Sequence, residues 1–152
     1  MRLIENIGEK QLADIKLLIH HTVRVCYPAI YPKEVVEFFI RYHSSEQIRS
    51  RASSGILIAL EEDNAILGTG FLDGEEMGGV YIHPEYQRKG YGTMIVNFLL
   101  DKAVKKGIDK IWLDATPFAK PLYLKSGFTV SSPMVQMVGD VALHYFKMEK
   151  IL

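Results

Sequence analysis

HPEYQRKGYG, residues 83–92, decides the fold. Glycine inside a helix costs about 1 kcal/mol relative to alanine. Yet Gly90 and Gly92 stand where an amphipathic helix begins, with Met94, Ile95, Phe98 and Leu99 on one face and Ala103 extending it. Just ahead of the stretch, Glu76 to Ile82 reads as a strand. A strand that passes through a glycine-rich turn into a helix suits an anion, because the first helical N–H groups are unpaired and the dipole is positive there. Arg88 and Lys89 add charge; the competing reading is a tight turn with a solvated basic face. Spelling removes two familiar nucleotide loops. The P-loop needs Gly-Lys-Ser/Thr, but Gly92 is followed directly by Thr93, and the dinucleotide fingerprint needs a third glycine where Ile95 stands.

Upstream, Leu12, Ile15, Ile19 and Val23, with Leu18 beside them, predict a helix over about 9–24. CYPAIYP interrupts it, and Pro32 suits the N1 position of a short helix carrying Val35, Val36, Phe39 and Tyr42. Ser44 and Gln47 form a capping-box pair for a third helix ending near Gly55. The period then changes: Ile56–Leu60 and Ala65–Leu72 are strands around the turn residues 62–64, and Asp73-Gly74 is a hairpin signal before Glu76–Ile82. Gly68 and Gly70 weaken the second strand, and Gly78-Gly79 in the third is compatible with a bulge.

Downstream, Asp101 and Lys105 are spaced to pair across the helix after Gly92, and Gly107 fits its C′ position. Lys110–Asp114 is a strand, so a strand–helix–strand unit favours a parallel crossover. Thr116-Pro117 resembles an N-cap and N1, and Gly127 ends that short helix. Phe128–Met137 and Val141–Lys147 around Gly139-Asp140 close the chain as a hairpin. The fold class is a single α/β domain over 1–152 with a mixed sheet.

The 152 residues carry 18 Lys+Arg and 18 Asp+Glu, a net charge of zero that argues against nucleic acid as main partner. The single cysteine, Cys26, excludes a disulfide framework and a cysteine metal site and fits a reducing compartment. His20 and His21 are adjacent and face different directions on a helix, so no metal site is expected. His83 beside Pro84 is read as structural, and no apolar run approaches the roughly 18 residues of a membrane span.

Gln87-Arg88-Lys89-Gly90-Tyr91-Gly92 resembles the (Gln/Arg)-x-x-Gly-x-(Gly/Ala) motif of the GNAT acetyltransferase superfamily, and Val80-Tyr81-Ile82 its fourth strand. Ala119-x-x-x-Tyr123-x-x-x-Gly127-Phe128 is similar to the late helix and following strand of that family. The likeness is specific over about 56–130 and topological elsewhere. It implies a splayed, mostly antiparallel sheet flanked by helices, with the acceptor side at about 9–54, an acetyl-CoA core at 56–130 and a closing hairpin at 131–152. Acetyl-CoA would be co-substrate, its pyrophosphate on the N–H groups of Arg88, Lys89, Gly90, Tyr91, Gly92 and Thr93, and its pantetheine along Val80, Tyr81 and Ile82. Thr116, where the family often has Asn, and Ala119 complete the implied cofactor contacts.

Acetyl transfer requires an amine to lose a proton, because an alkyl ammonium has a pKa near 10. Glu76 lies eleven residues before Gln87, the offset of the general base in the histone-type branch of the family. Glu75 replaces it if the register slips, and the plain alternative is a hairpin carboxylate facing solvent. Tyr123 resembles the family's general acid for the departing thiolate, against a core tyrosine, and an N–H near Tyr81 would serve the thioester oxygen. Tyr27 and Tyr31, in an aromatic cluster with Phe38, Phe39, Tyr42 and His43, are candidates for the acceptor pocket or for core. The expected enzyme is a cytoplasmic N-acetyltransferase acting on a primary amine of a small metabolite. Protein N-terminal or lysine acetylation and a non-catalytic acyl-CoA-binding module are the alternatives; the sequence leaves oligomeric state and acyl length open.

Overall fold

Ile56–Leu60 has no polar face, and a strand of that kind must be covered on both sides. A computed structural model describes residues 1–152 and shows how. Ile58 and Leu60 of β2 (Ile56–Glu62) pack with Ile95, Val96 and Leu99 of α4 (Tyr91–Lys105). Leu57 and Ala59 face the other way, against Ile15, Leu18, Ile19 and Val23 of α1 (Glu9–Cys26). The period-2 alternation of one strand thus meets the 3.6-residue period of two helices. Each large apolar side chain buried this way contributes about 1.5–3 kcal/mol. In β3 (Ala65–Asp73), Gly70 is a point of close approach, since a Cβ there would stand 2.7 Å from a methyl of Ile95.

The helices follow the expected signals with three adjustments. Ser44 Oγ accepts from the Gln47 N–H at 3.1 Å to start α3 (Ser45–Ser54), and Gly107 closes α4 with φ 76°. Pro32 sits at the N-cap of α2 (Lys33–Tyr42), one position before the expected N1. Asp101 and Lys105 do not pair; Lys102 Nζ meets Glu5 Oε1 at 2.8 Å instead. Thr116 Oγ1 accepts from the Ala119 N–H at 3.2 Å, but α5 begins only at Lys120 and runs to Lys125. Pro121 has no N–H to continue the ladder that Thr116 starts. An unexpected strand, β1 (Arg2–Ile4), edges the sheet beside β2, with Leu3 opposite Leu60. Three residues are too few to show a period.

The sheet has seven strands in the order β1-β2-β3-β4-β5-β7-β6, adding β4 (Glu76–Ile82), β5 (Lys110–Ala115), β6 (Thr129–Val138) and β7 (Val141–Ile151). All neighbours are antiparallel except β4 and β5, as the mixed, mostly antiparallel fold class requires. Those two pair at one position, Glu76 with Trp112, where the Trp112 N–H also donates to the Glu75 carbonyl at 2.9 Å. Beyond it they part, leaving that edge of β4 without a partner strand. The bulge falls at the glycine pair: Thr69 faces Tyr81 but Phe71 faces Gly78, so β4 carries one extra residue. Gly79 takes it up with φ 57°.

A Cβ at Gly79 would stand 2.9 Å from the Phe71 ring, so both backbone conformation and space demand glycine. Gly79→Ala is expected to lose about 1–3 kcal/mol of stability in urea unfolding. An unchanged midpoint would show that the bulge relaxes freely.

Candidate active site

Backbone donors come first. None of the N–H groups from Arg88 to Thr93 donates to a backbone or side-chain acceptor; the α4 ladder starts with the Met94 N–H on the Gly90 carbonyl at 3.1 Å. Arg88 and Gly90 hold this row with φ 60° and 88°. The two glycines that opened the question have different tasks. Gly90 is the left-handed N-cap of α4, with nothing near the site of a Cβ. Gly92 has ordinary helical geometry, but a Cβ there would meet Leu122 of α5 at 3.2 Å. Gln87 Nε2 donates to the Ile82 carbonyl at 3.0 Å and reaches Cys26 Sγ at 3.6 Å, tying the loop to the end of β4. His83 is structural as expected: its Nδ1 accepts from the Glu85 N–H at 3.2 Å.

The parting of β4 and β5 opens a cleft of about 170 Å³. Glu76, Val80, Tyr81, Thr116, Ala119, Tyr123 and Tyr27 line it together. Ile82 turns instead into the core under α4, and Glu75 lies exposed in the hairpin turn outside the cleft. Burial pushes the Glu76 carboxyl above the usual 4.5; Asp114 and Asp73 add to the rise and Arg51 opposes it. Tyr123 is buried beside Phe128, ring centroids 5.7 Å apart and nearly edge-on. Burial, with Tyr27 adding, pushes its phenol up, so it keeps its proton.

Behind Tyr81 lies a buried polar chain. Tyr27 Oη donates to Tyr81 Oη at 3.1 Å, Tyr81 Oη meets His43 Nε2 at 2.9 Å, and His43 Nδ1 meets Arg51 Nη1 at 3.2 Å. Arginine can only donate, so Nδ1 must accept. Burial first, then the Arg51 charge, holds His43 down at about 3, so the ring is neutral. Its one proton is therefore on Nε2 and points at Tyr81. Tyr81 itself is pushed well above 10 by burial and by Tyr27, and Tyr27 up to about 12, mainly by burial. Phe38, Phe39 and Tyr42 add an aromatic wall, with Tyr27 edge-on to Phe39 at 5.0 Å. Tyr31 is not on that wall; it packs on Phe39 and its hydroxyl donates to the His144 carbonyl at 3.4 Å.

Among the cleft residues that sequence reasoning missed are Asp114, His43 as a hydrogen-bonding group, and Arg51. Signals for two of them existed. Asp114 and Trp112 alternate with Ile111, Leu113 and Ala115, so they belong to the face away from α4. Arg51 lies three residues after the buried Ile48, hence on the same helical face.

A row of free N–H groups beside an unpaired strand edge suits a cofactor with a pyrophosphate and an amide-bearing arm. An acyl-CoA-dependent transferase requires an arrangement of this kind. The description "Acetyltransferase (GNAT) domain" is that of the family whose sequence model matches residues 26–152, and the chain belongs to this family, an acetyltransferase using acetyl-CoA as co-substrate. Solved structures share the fold. The GCN5-related N-acetyltransferase, aminotransferase class-II, from Rhodopseudomonas palustris is 18% identical with TM-score 0.89, over 99% of this chain and 95% of that one. PaiA N-acetyltransferase from Thermoplasma acidophilum, in complex with coenzyme A, is 21% identical with TM-score 0.79 over 100% of both. The ribosomal-protein-S18-alanine N-acetyltransferase from Escherichia coli is 16% identical with TM-score 0.73, over 99% and 92%. No curated protein matches the sequence significantly. No helix is long and apolar enough to cross a membrane.

The neutral His43 has a consequence for stability. Its folded value, about 3, lies below the ordinary 6.5, so only the unfolded chain takes up its proton in between. The stability it contributes is complete above pH 6.5 and falls with pH toward 3, by at most about 1.4 kcal/mol per unit. Urea unfolding at pH 6.5 and 5.0 should show this loss in the wild type and a smaller one in His43→Gln. Equal losses would mean that His43 protonates in the folded state.

Proposed function

We propose that the protein transfers the acetyl group of acetyl-CoA to a primary amine of a small molecule, by direct attack within the cleft. The observation that carries this reading is the meeting of Glu76 and Tyr123 in one cleft, beside the unpaired edge of β4 and next to the free N–H row. Arg88–Thr93 would hold the pyrophosphate by their N–H groups, with Arg88 and Lys89 adding charge. Val80, Tyr81 and Ile82 would offer backbone groups to the pantetheine arm, while Thr116 and Ala119 border it. The thioester supplies the activated acetyl group.

Glu76 takes the proton of the ammonium, freeing the nitrogen lone pair. Its raised pKa makes it a stronger base than a solvated glutamate, at the cost of losing charge sooner on acidification. An N–H near Tyr81 donates to the thioester oxygen. Tyr123 donates its phenolic proton, or a hydrogen bond, to the sulfur as the carbon–sulfur bond breaks. Tyr27 would touch the acceptor directly; Tyr31 would act by supporting Phe39. The single free cysteine and the acetyl-CoA donor suit the cytoplasm. The small volume of the cleft, about 170 Å³, favours a small acceptor over a protein lysine or N-terminus.

Release of free CoA thiol, screened over small amines and peptides, tests the reading. Turnover of peptides alone would move the acceptor to protein, and CoA binding without turnover of any amine would make the domain a sensor. Glu76 is protonated below its raised pKa, so kcat/KM should fall as pH drops through a value above 4.5. Glu76→Gln should lower kcat/KM by about 10²–10⁴-fold and erase that acid limb. A retained limb would reassign the base. Tyr123→Phe should reduce kcat with little change in acetyl-CoA affinity, measured by calorimetry; unchanged kcat would exclude the acid role.

A further inference from the structure

Arg51 is 5% exposed, yet it takes part in none of the ion pairs of the protein. Burying a guanidinium with no carboxylate at ion-pair distance is unfavourable, and Glu76 of the same cleft acts on Arg51 only at longer range. Its hydrogen-bond partner is His43 Nδ1, a neutral acceptor, and its Nε is buried with no partner. The plane is held over the Phe71 ring at 4.5 Å and near the Tyr42 ring at 5.9 Å. Such stacking fixes a cation but does not neutralise it. The site is also built for it. The Gly79 bulge admits Phe71 and Arg51 together, since a Cβ there would stand 2.9 Å from Phe71 and 3.4 Å from Arg51 Nη1.

Arg51 lines the same cleft as Glu76 and Asp114. The cleft therefore holds a buried cation with donors to spare and two carboxylates. A ligand complementary to both carries an ammonium and an anion on one small body. We propose that the acceptor is an amino carboxylate, its carboxylate received by the Arg51 guanidinium and its amine directed to Glu76. This rests on the acetyl-transfer reading and narrows its substrate class. The planar fork matches a carboxylate bidentately, which a point charge does not. His43 is a positioning residue here: with Nδ1 bound to Nη1, it fixes the turn of the guanidinium and leaves Nη2, which has no partner and is not fully buried, to the ligand.

The test compares matched acceptors: phenylalanine with phenethylamine, 4-aminobutyrate with butylamine, and 3-aminopropylphosphonate for a phosphate-like anion. Thiol release should give at least tenfold higher kcat/KM for the amino carboxylates, carried mostly by KM. Arg51→Gln should reduce that preference to within twofold, and Arg51→Lys should retain only part of it. Because a buried arginine variant can lose its fold, wild-type binding is read separately. In the presence of CoA, 3-phenylpropanoate should raise the melting temperature and its amide should not. Equal use of charged and uncharged amines, or a preference for the phosphonate, overturns the proposal, as does an equal response to the acid and the amide. Failure of every amine while 3-phenylpropanoate still binds would remove the acetyl-transfer reading and leave the anion site standing.

Discussion

β4 and β5 are parallel neighbours joined at one paired position, Glu76 with Trp112, and they separate from there on. A parallel pair that stayed in register would satisfy both edges and leave no room between them. Separation leaves unpaired backbone along β4, and such groups are costly when shielded from water. The gap is therefore tolerated only at a surface or where a ligand supplies the missing partners. The Gly79 bulge belongs to the same arrangement, because it bends β4 at the point where the strands diverge. Cleft, strand edge and loop all follow from that one local failure of pairing.

The walls then set the electrostatics. Tyr27, Phe38, Phe39 and Tyr42 surround the cleft with apolar surface, which disfavours charge within it. Glu76 moves up, His43 moves down, and Tyr81 and Tyr123 hold their protons. Arg51 keeps its charge because guanidinium is too basic to yield it at such a site. A cleft that neutralises histidine and holds arginine charged can distinguish partners by sign as well as shape.

Much of this was legible along the chain. β2 could be read from its unbroken apolar run, α4 from its single face, and the Gly78-Gly79 bulge from two glycines in mid-strand. The free donor row followed from Gly90 at the start of a helix, a local matter of φ and capping. Other features were hidden by distance in sequence. Gly92 looked like a second phosphate glycine, and only the packing of Leu122, thirty residues away, shows its steric task. Tyr31 and Tyr27 looked equivalent in CYPAIYP, but the turn after α1 sends one into the cleft and the other toward β7.

By itself, then, the sequence determined the family and the order of the elements from α1 onward, because periodicity, capping and glycine placement are local. The tertiary structure alone decided which face of each wall meets which. β7 inserted between β5 and β6, β1 took the far edge, and Arg51 of α3 came to line the cleft. Those outcomes depend on contacts between residues far apart in the chain, whose geometry no short window of sequence contains.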